Sequence, residues 1–210
     1  MIIMSNAELG EFHYKANLFK VLSELYKEPG ADLPGYMDYL IEALEELQPA
    51  LALKAEDLAD ELDKYQLSHN ENKLVIDYAK LFVGPFDMKA PPYGSVYLDD
   101  GRRLMGDSTT AVEKFYSETG VEKLNVYHQP ADHISVELEF MYYLYFKYVE
   151  SGELKYLDRM QRFMQQFLFT WIFKFAKKIR ENANEPFYLK LAQLTEEIIE
   201  WEAHQLEIQV

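Results

Sequence analysis

The chain of 210 residues contains no cysteine. Disulfides, thiolate metal sites and thiol nucleophiles are therefore excluded, and the absence fits a reducing compartment. Basic residues are scarce. The 21 Lys and Arg stand against 36 Asp and Glu, a formal charge of -15. So acidic a surface repels phosphate backbones and anionic lipid, so no nucleic acid partner and no membrane insertion are expected. A cationic partner is favoured, with an attraction that weakens as salt rises. The same acidity also serves plain solubility. Long apolar runs are lacking too. The most apolar stretches, Phe140–Phe146 and Phe167–Phe173, fall far short of the roughly 20 residues that span a bilayer. The start, MIIMSNAELGEF, has neither a basic segment nor a long apolar one and does not read as a signal peptide. Arg102-Arg103 is an internal pair and cannot serve as this chain's own twin-arginine export signal. A cytoplasmic location is expected.

What is present is apolar and aromatic. Hydrophobic residues make up 49% and aromatics 15% of the chain, enough for a globular core rather than disorder. No internal repeat is found, and one all-helical domain over residues 1–210 is expected. Helical periods dominate. Phe12, Ala16, Phe19, Leu22 and Tyr26 predict a first helix stopped near Pro29-Gly30. Pro34 can start a second, with Met37, Leu40, Ile41 and Leu44 on one face. Leu51, Leu58, Leu62 and Tyr65 suggest a third, and Leu74, Tyr78, Leu81 and Phe82 a fourth, ended by Gly84-Pro85.

The period then stops until about Asp107. This Pro/Gly/aromatic-rich loop, near residues 83–107, carries Phe86, Met88, Tyr93, Val96, Tyr97 and Leu98. A loop so long is more often functional than neutral, and its apolar content predicts that it folds back on the helices. Thr110 with Glu113 has the spacing of a capping box. That helix should end at Gly120. Asp132 is expected to cap the next one, which carries Ile134, Leu138, Met141, Tyr145 and Tyr148 and ends at Gly152. An aromatic helical stretch from about Leu154 to Arg180 follows, and Pro186 starts the last helix. No stretch alternates as a strand. The expected fold class is all-α, a bundle-like arrangement.

Catalytic and metal signatures fail on spacing. None of His13, His69, His128, His133 and His204 has a Glu three residues before it, so the di-iron Glu-x-x-His pattern is missing. The pairs His133/Glu137 and Glu200/His204 give too few ligands on one helix, and read as surface or capping contacts. Phosphate-binding glycine loops and nucleophile elbows are missing as well. Acidic runs such as Glu42–Glu46 and Glu196–Glu202 read as solvated surfaces. No metal, no cofactor and no catalytic residue are expected.

Asp132-His133 carries two readings. Locally, Asp132 caps a helix and His133 is its first residue. Functionally, both line the rim of a peptide groove, where Asp132 could hold an arginine of a partner by charge-assisted hydrogen bonds. The partial positive charge of the helix start should hold the His133 pKa low and keep the ring neutral. Leu81, Phe82, Tyr93 and Tyr97 divide in the same way between sealing the loop onto the core and lining a groove. Tyr142, Tyr143, Tyr145 and Tyr148 surround their helix too widely for one buried stripe.

Two segments, YAKLFVGPFDMKAPPYGSVY at 78–97 and QPADHISVELEFM at 129–141, resemble the TorD/DmsD/NarJ-type family of molybdoenzyme maturation chaperones. Tyr78, Leu81, Phe82, Gly84 and Pro85 are similar to one family element. Pro91-Pro92-Tyr93 with Ser95-Val96-Tyr97 is similar to a second. Pro130, Asp132, His133, Ile134, Glu137-Leu138 and Phe140-Met141 resemble its most distinctive motif. Trp171, Phe175 and Phe187-Tyr188 are similar to weaker positions. Gly94 stands where an acidic residue is common in the family, and Phe167 where a histidine often occurs.

The resemblance implies a non-catalytic cytoplasmic chaperone. It would bind the precursor of a molybdenum-cofactor oxidoreductase of the dimethyl-sulfoxide-reductase type, and its twin-arginine leader peptide, until the cofactor is inserted. Leu81, Phe82, Pro92, Tyr93, Asp132 and His133 would form the leader site. Four large apolar groups buried on binding would supply roughly 6–12 kcal/mol against roughly 4–15 kcal/mol of association cost, so micromolar-scale affinity is expected. The alternative is an all-α adaptor for an internal helix of a partner, including a leaderless nitrate-reductase-type subunit. An enzyme of unspecified chemistry, with a nucleotide-linked one among the options, is the third reading. A monomer is expected, with a domain-swapped dimer as the variant that exposed hinge loops allow.

Overall fold

The computed structural model describes residues 6–84, 87–101, 104–121 and 129–208. Pro85, Phe86, Arg102, Arg103 and His128 lie outside them. The architecture is all-α: α1 (Asn6–Leu25), α2 (Leu33–Leu47), α3 (Pro49–Leu67), α4 (Glu71–Tyr78), α5 (Ser95–Leu98), α6 (Asp107–Glu118), α7 (Ile134–Ser151), α8 (Lys155–Phe163), α9 (Phe169–Asn182) and α10 (Pro186–Gln205). Among the described residues no strand forms beyond one isolated bridge.

The boundaries follow local chemistry. Pro34 and Pro186 sit in the first turns of α2 and α10, where a missing N–H costs nothing. Gly120 and Gly152 turn left-handed after α6 and α7, with φ of 83° and 66°. A π turn at Ala79–Val83 extends α4 and ends on Gly84, φ 41°. A second, Met164–Leu168, joins α8 to α9, so the long aromatic stretch read from the sequence is one helical path with an extra residue in its winding.

Two sequence expectations need correction. Thr110 and Glu113 form no capping box: they lie inside α6, whose N-cap is Gly106. The free amide of Ser108 is met instead by the Asp99 carboxylate at 3.2 Å to each oxygen. A Cβ at Gly106 would lie 2.0 Å from Asp99 Oδ2, so a side chain there would displace the carboxylate that meets Ser108. The span between Val83 and Asp107 is also not all loop, since Ser95–Leu98 winds one turn. It does fold back: Ala90, Pro91, Pro92, Ser95 and Val96 are buried.

The core is a contiguous cluster running through the helices. Helices α1 and α7 pack along their length and antiparallel. Phe12 meets Tyr148 at 4.8 Å, Lys20 pairs with Glu139, and Ser23 Oγ donates to the Ser135 carbonyl at 2.7 Å. Helices α2 and α3 continue from α1, while α10 lies on α9 and α3. Trp171, Tyr26, Tyr145, Tyr188 and Phe163 fill the interior. Of the tyrosines on α7, Tyr145 and Tyr148 are buried, and Tyr142 and Tyr143 sit at the edge beside exposed Phe146.

Candidate functional site

The bridge joins the loop to the start of α7. Tyr93 and His133 pair in antiparallel fashion. Gly94 N–H donates to the Asp132 carbonyl and Ile134 N–H to the Pro92 carbonyl, both at 2.9 Å. Two segments about forty positions apart thereby become one element. The Tyr93 ring lies edge-on to the His133 imidazole, with centroids 5.2 Å apart.

Asp132 does not cap the helix that follows it. Its Oδ2 accepts the N–H of Ser95 at 2.7 Å and so serves the free amide at the start of α5. The bridge, through Gly94 N–H on the Asp132 carbonyl, brings that amide within reach of the carboxylate. His133 is the N-cap of α7, not its first helical residue, and its Nδ1 accepts the N–H of Ser135 at 3.1 Å. A neutral ring that accepts at Nδ1 carries its proton on Nε2. Burial lowers the His133 pKa to about 4, with the charge of Lys27 adding to the effect. The ring is therefore neutral near pH 7, as expected, although burial rather than the helix start is the main cause.

Beneath the bridge, Glu137 is fully buried and accepts the indole N–H of Trp171 at 3.0 Å. Burial raises its pKa well above the usual carboxylate range. The Trp171 hydrogen bond opposes that shift and the Asp132 charge adds to it. Gly94 lies against the same indole, where a Cβ would sit 3.1 Å from Trp171 Nε1. Tyr97 stacks on Trp171 at 5.6 Å, and Tyr116 donates its hydroxyl to the Ala131 carbonyl at 3.0 Å. Burial, then Asp132, raises the Tyr93 pKa.

A family model described as nitrate reductase delta subunit matches residues 38–177. The chain belongs to this family, the TorD/DmsD/NarJ-type family. Among its relatives is the Tat proofreading chaperone DmsD of Salmonella typhi, 32% identical over 167 residues, 78% of each chain. The chaperone protein TorD of Vibrio parahaemolyticus is 30% identical over 155 residues, 71% of this chain and 70% of that one. A candidate redox enzyme maturation protein from Archaeoglobus fulgidus shares the fold, with TM-score 0.55, 22% identity, and 95% and 98% of the two chains covered. The named relatives of the family are chaperones, not catalysts.

The six residues that the family resemblance singles out fall into two groups. Pro92, Tyr93, Asp132 and His133 meet at the bridge. Leu81 and Phe82 lie in the core beside it, joined to the loop where Ala90 N–H donates to the Leu81 carbonyl at 2.9 Å. The Phe82 ring touches those of Tyr26, Tyr78, Phe175 and Tyr188. Tyr93 is half-buried, while Asp132 is 1% and His133 4% exposed. Only Tyr93 of the six presents substantial surface; the others shape its surroundings.

Nothing in the local spacing marks Ser95, Trp171 and Lys15 as partners, and Glu137, expected with His133 to make a surface or capping contact, is instead buried against Trp171. Glu202, expected on a solvated face, is buried. The Tyr145 hydroxyl donates to its Oε1, and Lys15 Nζ lies 3.3 Å from its Oε2. The signal was available in the spacing. Glu202 falls four residues after Ile198, and Glu137 three after Ile134, each on a buried stripe.

Proposed function

We propose that the chain is a cytoplasmic maturation chaperone for a molybdenum-cofactor oxidoreductase of the dimethyl-sulfoxide-reductase type. It holds the precursor and its twin-arginine leader until the cofactor is inserted. Family membership supports the chaperone role, as do the chaperone relatives, one of them a Tat proofreading protein. The observation that carries the leader reading is the bridge between Tyr93 and His133. It sets the half-buried Tyr93 ring beside a neutral imidazole and the Asp132 carboxylate, on a chain of charge -15.

In this role Tyr93 covers the apolar part of the leader, and His133 Nε2–H donates to its backbone. Asp132 contributes its negative charge to the leader arginines. Leu81, Phe82 and Pro92 hold the patch from behind. Because they are already buried, they add little apolar area on binding. Affinity then rests on Tyr93, on the leader's own side chains and on charge. No helix of the described residues is long and apolar enough to cross a membrane.

Calorimetric titration with leader peptides of molybdoenzymes from the same genome tests this. Saturable one-to-one binding, lost with an Arg-to-Gln leader and weakened by Tyr93→Ala, is expected. No binding to any leader by the folded protein sinks leader recognition. The family's delta-subunit description favours one second reading, an adaptor for an internal helix of a leaderless catalytic subunit. Retention of the mature catalytic subunit without leader binding would select it.

A further inference from the structure

We propose that a cleft at the far end of α1 seats an arginine side chain of a partner polypeptide, independently of the Tyr93 patch. The cleft has a volume of about 530 Å³ and is lined by Gly10, Glu11, Tyr14, Glu46, Leu47, Trp201 and Gln205. It draws on α1, the last turn of α2 and the last turns of α10. The bridge is reached from the other end of α1, where Ser23 meets Ser135. Twelve helical steps, from Glu11 to Ser23, separate the two places by about 18 Å.

Three features of the lining select a guanidinium. Two carboxylates, Glu11 and Glu46, come from different helices. Among the described residues Glu46 has no ion-pair partner, and Glu11 shares Lys15 Nζ, at 3.4 Å, with buried Glu202. The cleft is thus short of positive charge. Tyr14 and Trp201, both half-buried, supply aromatic faces. The indole of Trp201 already attracts a cation in this fold, since Lys15 Nζ stands 5.1 Å from its ring.

A planar guanidinium stacks on such rings and forks its donors between carboxylates, and it loses hydration more readily than an ammonium. Gly10 leaves space as well: a Cβ there would meet nothing within 4 Å. A side chain added at Gly10 can therefore enter the cleft without disturbing α1.

The test uses the intact protein, whose two indole N–H signals belong to Trp171 and Trp201. The probe is acetyl-Gly-Arg-Gly-amide, followed by proton–nitrogen correlation spectra. The Trp201 signal should shift saturably while that of fully buried Trp171 stays fixed. Replacement of arginine by citrulline should abolish the shift, and lysine should weaken it. The variant Glu11→Gln/Glu46→Gln should bind about tenfold more weakly, and Gly10→Leu should not bind while folding normally. A control pair on exposed α3 positions, Glu56→Gln/Asp60→Asn, should bind as the parent does. The proposal is overturned by an unshifted Trp201, by citrulline or lysine acting as well as arginine, or by the control pair losing as much affinity as the cleft pair.

Discussion

The carboxylate of Asp132 accepts the backbone N–H of Ser95 at 2.7 Å, across 37 positions of sequence. This bond ties α5 to the start of α7 and fixes the loop that carries Tyr93. Both groups are buried. Removal of the acceptor strands a buried donor, which costs about 1–3 kcal/mol. Asp132→Ala should lose that much in urea denaturation, and Ser95 amide exchange should accelerate. Asp132→Asn keeps an acceptor oxygen and should lose less. Equal losses in the two variants would show that charge, not the hydrogen bond, matters here.

Acid should weaken the fold through His133. The unfolded chain takes up a proton on this residue below about pH 6.5, whereas the native ring resists until about pH 4. The stability due to the neutral ring is complete above pH 6.5 and drains away as pH falls toward 4. His133→Asn retains a good N-cap and has no such titration. Between pH 7 and pH 5 the parent should lose about 2 kcal/mol more than this variant. Parallel stability curves for the two proteins would refute the assignment.

Much of the helical layout can be read in the chain, because prolines and glycines punctuate it. Pro34, Gly120, Gly152 and Pro186 stand at the expected boundaries. Local spacing fails where a partner comes from afar. The Thr110/Glu113 pattern looks like a cap, yet Asp99 reaches the helix start first. Asp132 precedes a helix and still serves a different one. Of the candidate site, the residues are legible through family resemblance and their pairing is not. The bridge between Tyr93 and His133 depends on a loop conformation with no periodic signature. Buried Glu137 and Glu202 are legible as positions on apolar stripes, but their partners Trp171 and Lys15 lie on other helices.

Gly94 should resist even a methyl group. A Cβ there would press on the Trp171 indole at 3.1 Å. That indole is fully buried, stacked on Tyr97 and bonded to Glu137, so it has little room to give. Gly94→Ala should destabilise by about 1 kcal/mol or more. Gly35 in α2 has open space around it, and Gly35→Ala should stabilise by roughly 0.5–1 kcal/mol. Thermal denaturation of the two variants should therefore move in opposite directions.

Phe82 and Tyr93 should separate stability from recognition. Phe82 is enclosed by four aromatic rings, and Phe82→Ala should cost roughly 3–5 kcal/mol. Tyr93 gives up one edge-on contact with His133, so Tyr93→Ala should cost about 1 kcal/mol. Calorimetry with a leader peptide should nonetheless show the larger affinity loss for Tyr93→Ala, measured on the folded fraction. A Tyr93→Ala protein that binds leader as tightly as the parent would remove this ring from the site.

Lys15 and Glu202 form the deepest ion pair among the described residues, with Tyr145 donating to the same carboxylate. Burial raises the Glu202 pKa, against the lowering effect of Lys15. Lys15→Met leaves the carboxylate without its cation and should cost about 3–5 kcal/mol near pH 7. In that variant the native state holds Glu202 protonated, while the unfolded chain ionises it above about pH 4.5. The stability of the protonated group is present below that pH and is lost as pH rises. Because the parent's Glu202 is raised as well, the deficit should grow by about 1.4 kcal/mol per pH unit only above the pH at which the parent's carboxylate ionises, until that of the variant ionises too. Urea titrations at pH 5 and pH 7 should show a smaller deficit at pH 5, and Lys15→Met/Glu202→Gln should recover much of it at pH 7. A deficit equal at both pH values, and not relieved by the second change, would mean that Lys15 does not act through the charge of Glu202.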